Sequence, residues 1–79
     1  MNNNLVPLSE LPIGSLGIVK KLAVEGAARR RMLDLGLILD TAVESLLKSP
    51  AGDPIAYRIR GAVIALRPEE AKKLLVEVR

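Results

Sequence analysis

Ile55-Ala56-Tyr57-Arg58-Ile59-Arg60-Gly61-Ala62-Val63-Ile64-Ala65-Leu66 is the stretch that decides the fold. Successive side chains of a strand point to opposite faces, so Ile55, Tyr57 and Ile59 share one face and Arg58 and Arg60 the other. Gly61 turns the chain, and Ala62 to Leu66 returns as the hairpin partner. Immediately upstream, Ser49-Pro50-Ala51-Gly52-Asp53-Pro54 is loop chemistry, with two prolines and a glycine in six residues. Thr41 to Lys48 precedes it as another strand. Downstream, Pro68-Glu69-Glu70 opens a short helix: proline fits the first helical position and acids there complement the macrodipole. Lys72 and Lys73 sit near its end, and Leu75 to Val78 reads as a last strand.

The N-terminal half completes the pattern. Residues 1–7 read as a disordered or loosely ordered tail, and the domain as residues 8–79. Leu5, Leu8 and Leu11 recur around Ser9 and Glu10, as in one helical turn or an anchored loop. Pro12-Ile13-Gly14 is a turn. Ser15 to Leu22 is a strand, in which Gly17 marks a bulge or a close backbone approach. Ala27 to Leu35 is a short helix, with Gly26 as its N-cap and Gly36 as the left-handed residue after its end. At about 100° per residue, Ala28, Met32 and Leu35 share its inner face, with Leu33 on the flank. Five short strands in so small a chain must close or nearly close on themselves, or too much edge remains. The expected fold is therefore mainly β: a small five-stranded SH3-like barrel with one or two short helices. Its expected interior includes Ile18, Val43, Ile59, Ile64 and Val76.

Composition narrows the function. The chain has 79 residues, 49% hydrophobic, with Tyr57 its one aromatic and neither cysteine nor histidine. No disulfide and no closed zinc site of nitrogen or sulfur ligands can form within it. Ser9, Ser15, Ser45 and Ser49 have no histidine or cysteine to activate them, and no glycine-rich phosphate loop is present. These absences point away from an enzyme and require no cofactor. The net charge of +3 favours an acidic partner surface and falls short of a nucleic-acid signal. The start carries three asparagines and no positive charge, unlike a signal peptide. No apolar run approaches the ~18 residues that span a bilayer. The expectation is a cytoplasmic protein without direct membrane insertion.

Several segments, taken in order, resemble the FeoA family. They are Leu8-Ser9-Glu10-Leu11 with Gly14 and Gly17-Ile18-Val19; Arg30-Arg31-Met32-Leu33-Asp34-Leu35-Gly36-Leu37; and Gly52-Asp53-Pro54-Ile55 with Tyr57-Arg58-Ile59-Arg60-Gly61. Ala65-Leu66-Arg67, Glu69-Glu70-Ala71 and Val76 follow, so the likeness runs from about Leu8 to Val78. The chain departs from the family after the helix: Ile38-Leu39-Asp40 stands where a threonine or similar residue and then Pro-Gly are usual. The resemblance implies a non-enzymatic accessory protein of ferrous iron uptake. Its implied partner is the cytosolic domain of FeoB, a membrane transporter with a guanine-nucleotide-binding domain. The alternative is a nucleic-acid-associated or repressor-derived barrel domain. A repressor would carry an upstream helix-turn-helix, for which a chain starting at Met1 leaves no room. Self-association stays open.

The candidate partner-binding residues are Arg30, Arg31, Leu37, Ile38, Leu39, Asp53, Arg58 and Arg60. Arg29-Arg30-Arg31 stands near the front of a helix, where the macrodipole opposes cations, so local stability does not account for it. The three directions spread over about 200°, and Arg30 is expected to pair with Asp34 one turn on. Leu37-Ile38-Leu39 is an apolar run directly after a helix end. One or two of the three must enter the core, and Ile38 or Leu39 is left for contact, with Arg31 on the rim. Arg58 and Arg60 are expected on the outer face of their strand. Glu69 and Glu70 diverge on a helix and Asp53 is a lone loop carboxylate, so any metal contact should be weak and no metal residues are assigned.

Overall fold

The computed structural model describes residues 5–51 and 53–79. The elements are β1 (Leu5–Pro7), a 3-10 turn (Leu8–Glu10), β2 (Leu16–Leu22), α1 (Gly26–Asp34), β3 (Ala42–Lys48), β4 (Ile55–Ile59), β5 (Ala62–Leu66), α2 (Pro68–Ala71) and β6 (Leu74–Val78). All strands pair antiparallel in one sheet of order β1-β6-β2-β3-β4-β5. Mainly β architecture is as expected, with six strands rather than five. The sixth is β1: Leu5–Pro7, read from the sequence as tail, pairs with Leu75–Glu77 of β6. Residues 1–4 of that expected tail lie outside the described residues.

One core lies against the inner face of the sheet. The β4 alternation places Ile55, Tyr57 and Ile59 inside. The Tyr57 hydroxyl donates to the Leu8 carbonyl at 3.2 Å, which anchors the 3-10 turn over the core. Burial pushes the phenol's pKa up to about 12, because the charged form would lose its water. Arg60 and Gly61 both have positive φ (53° and 83°), the pattern of a two-residue hairpin turn of type I′. Arg60 therefore belongs to the turn, and only Arg58 lies on the strand's outer face.

On β2 the phase differs from the expectation. Gly17, Val19 and Leu22 face inward, whereas Ile18 is half-buried on the other side. A register shift between Val19 and Lys21 inserts one residue, so Lys20 and Lys21 are both exposed before Leu22 turns in again. Gly17 is the close approach: a Cβ there would meet Val76 Cγ2 at 2.9 Å and Val76 Cβ at 3.0 Å. Val43, Ile59 and Val76 are buried as expected, and Ile64 packs half-buried against the core.

Helix α1 starts at Gly26 with Glu25 as its N-cap, one residue earlier than expected. It buries Met32, leaves Leu35 half-buried and exposes Ala28. Its end is a Schellman turn. Gly36, with φ of 97°, donates to the Leu33 carbonyl, and Leu37 donates to the Met32 carbonyl, both at 3.0 Å. That second bond draws Leu37 into the core beside Met32.

Candidate interaction surface

The Schellman turn divides the apolar run that the sequence offered as a contact surface. Leu37 is fully buried, so it is core and cannot touch a partner. Ile38 is half-buried, and its carbonyl accepts from Thr41 N at 3.2 Å. Leu39, 54% exposed, stands alone at the tip of that turn. Asp40, with φ of 69°, takes the left-handed position and pairs with Lys20 at 3.0 Å. Only Leu39 therefore presents a large apolar surface there.

The arginines are likewise distributed. Arg29 donates from Nη1 to the Leu22 carbonyl at 3.3 Å. Arg31 is paired with Glu70 of α2, so its charge is already matched. The pair expected between Arg30 and Asp34 does not form among the described residues, and Arg30 is exposed. Glu70 also accepts from Arg67 N at 3.1 Å, which caps α2, so both its oxygens are in use. Asp53 sits in a loop closed by Ser49, whose Oγ accepts from Asp53 N at 2.9 Å and donates to the Asp53 carbonyl at 2.7 Å. No three acidic side chains converge on a possible metal position among the described residues.

What the structure does bring together is the outer face of β2–β5. Register places Leu16 opposite Glu44, Glu44 opposite Arg58, and Arg58 opposite Val63 in one row across four strands. Leu47, Ala56 and Ala65 form the next row, and Ile18 and Ala42 lie on the other side of the first. Val63 is 60% exposed, Leu47 58% and Leu16 46%, three large apolar side chains on one face. At the centre, Arg58 Nη1 meets Glu44 Oε1 at 3.5 Å, so the face carries little net charge despite its arginine. Exposed apolar side chains set around a matched ion pair are the anatomy of a contact surface. The sequence reading named Arg58 from this face and missed Leu16, Leu47 and Val63. The available signal was β5 itself, which is apolar at every position, although a strand with one solvated face should alternate.

A second feature is a cleft of about 510 Å³ between the end of β2 and the start of α1, lined by Lys21, Leu22, Val24, Glu25, Ala28 and Lys73. Its lysines and glutamate are exposed. It holds no buried polar group aimed inward among its lining residues.

Six short strands curled about one core, with two small helices, define the class of SH3-like β-domains. Comparison with known proteins agrees and is more specific. The FeoA domain family matches residues 6–78, and the chain belongs to that family. A Porphyromonas gingivalis Fe(2+) transport protein A/Fe(2+) transporter FeoB fusion protein is 32% identical over 71 residues. That match covers 90% of this chain and only 8% of the fusion protein. A FeoA-like protein from Clostridium acetobutylicum superposes with a TM-score of 0.87 at 40% identity, covering 99% of this chain and 90% of that one. Stenotrophomonas maltophilia FeoA, an SH3 domain protein solved with zinc, gives 0.73 at 32% identity, covering 89% and 87%. No helix among the described residues is long and apolar enough to cross a membrane.

Proposed function

We propose that this chain is a non-enzymatic accessory module of ferrous iron uptake. In this reading it docks on the cytosolic domain of a FeoB-like transporter through the outer face of β2–β5 and modulates transport. The observation that carries the reading is the Porphyromonas gingivalis relative, in which a segment like this chain is joined covalently to a FeoB transporter. Fusion holds two modules at high effective concentration, which favours partners that also meet when separate. The apolar face supplies contact area, and the Glu44–Arg58 pair at its centre supplies orientation with little net charge.

The test is binding to the transporter's cytosolic domain, with and without guanine nucleotide, by parent, Leu16→Asp, Leu47→Asp and Leu39→Asp. All three leucines are exposed, so each variant should fold, with a loss of about 1 kcal/mol where Asp enters a strand at position 47 or at position 16, where it also faces Glu44. Loss of a central apolar anchor costs at least about 1.4 kcal/mol, or tenfold in Kd. Leu16→Asp and Leu47→Asp should show that loss and Leu39→Asp should not. Parent-like binding by the first two would overturn the assignment of this face.

A further inference from the structure

Strand β5 ends the sheet, and among the described residues nothing pairs with its outer edge. The hairpin register identifies the unpaired backbone groups. Ile59 opposite Ala62 closes a two-residue turn and is a hydrogen-bonded pair, so Tyr57–Ile64 and Ile55–Leu66 are too. The alternate residues, Val63 and Ala65, turn their N–H and C=O outward to the free edge. Native edge strands are usually blunted by a lysine, a proline, a bulge or brevity. β1, at the other end of the sheet, is three residues long and ends in Pro7. β5 has five residues, all apolar, and pairs without a register shift.

The charges around this edge select its occupant. Arg60 precedes β5 and Arg67 follows it; both are exposed, and neither has a carboxylate within ion-pair distance among the described residues. No acidic residue lies on β4 or β5. Consider a second copy of the chain pairing antiparallel, with Val63 opposite its Ala65. Arg67 then falls opposite Gly61 of the copy, beside its Arg60, and cations meet cations at both ends. Like charges facing across strands are unfavourable, so self-pairing centred on this edge is opposed in that register. A foreign strand with acidic ends meets the same two arginines favourably.

We infer that β5 is a strand-addition site, at which an extended partner segment with apolar alternate residues and an acidic residue at each end pairs with Val63 and Ala65. Main-chain bonds would give affinity and the flanking arginines would give selectivity. The inference deepens the docking reading above, since β5 borders the same outer face, but its test needs no transporter.

The probes are two peptides, acetyl-Glu-Val-Thr-Val-Thr-Val-Glu-amide and the same peptide with lysine at both ends, titrated into the isotope-labelled chain. The glutamate peptide should bind at least tenfold more tightly. It should slow exchange of the Val63 and Ala65 amides, and its advantage should shrink in high salt. Ala65→Pro removes an edge donor without removing a ladder bond to β4, and should weaken binding at least tenfold. The double variant Arg60→Glu/Arg67→Glu should reverse the preference, which decides the matter if Ala65→Pro does not fold. Leu16→Asp, three strands away, should bind the peptide like the parent even where it loses the transporter. Equal affinity for both peptides, no binding by either, or protection mapped elsewhere would overturn the inference. So would a concentration-dependent dimer of the parent protected at Val63 and Ala65, in favour of self-pairing.

Discussion

Gly17→Ala is a one-carbon test of how β2 and β6 pack. Gly17 has an ordinary φ, so alanine is conformationally acceptable and should gain about 0.4–1 kcal/mol by restricting the unfolded chain. Against this, the new Cβ would lie 2.9 and 3.0 Å from two carbons of Val76 and 3.4 Å from Leu11 Cδ1. Val76 is fully buried on β6, which is flanked by β1 and β2, and its branched Cβ leaves it little rotamer freedom. It cannot step aside, and overpacking of this kind costs about 1–3 kcal/mol. The net loss is about 1–2 kcal/mol. For a domain of this size that is a fall in Tm of about 5–15 °C. It is a large part of the ~3–5 kcal/mol that a core this small supplies. The assay is urea unfolding of parent, Gly17→Ala, Val76→Ala and the double variant. Val76→Ala removes the 2.9 Å Cγ2 contact and leaves a lone Cβ with room to shift, so Gly17→Ala should cost much less in that background. The coupling between the two sites would then be at least about 1 kcal/mol. A Gly17→Ala variant as stable as the parent, or equally costly in both backgrounds, would refute this packing.

Three further outcomes can be checked on the isolated chain. Tyr57 holds its proton more tightly when folded, with a pKa of about 12 against an ordinary value of about 10, so its stabilisation is complete below pH 10 and is lost as pH rises towards 12. The parent should therefore lose about 2–3 kcal/mol across that window relative to Tyr57→Phe, measured by denaturant unfolding at each pH. Ser45 is buried on β3 and its hydroxyl has no partner among the described residues. Ser45→Ala should accordingly raise stability by about 1 kcal/mol, and a lower Tm would show that the hydroxyl is satisfied. Glu70→Ala removes both the cap on Arg67 N and the ion pair with Arg31, and should cost about 1–2 kcal/mol by thermal melting.

What the sequence makes legible is what local chemistry decides. The alternation of Ile55, Tyr57 and Ile59, the turn at Gly61 and the left-handed Gly36 depend on side-chain period and on φ, and each stands where expected. The misplaced elements depend on distant partners. Leu5–Pro7 is too short to announce itself and is a strand because β6 lies alongside. Ile18 and Val19 are equally apolar, and the close fit of Gly17 on Val76 sets which one faces in. Leu37 looks like its neighbours Ile38 and Leu39 until the Schellman bonds separate it from them. The candidate surface was half legible for the same reason. Arg58 was visible from its strand, but Leu16 and Leu47 join it only through the registers of β2 with β3 and β3 with β4.

The docking claim is tested most directly by mapping contacts on the isotope-labelled chain as the unlabelled cytosolic domain of a FeoB-like transporter is added. Line broadening should concentrate on Leu16, Ala42, Glu44, Leu47, Arg58, Val63 and Ala65, the outer face of β2–β5. Broadening centred on Ile38 to Asp40 at the end of α1, or spectra unchanged at saturating transporter domain, would contradict it.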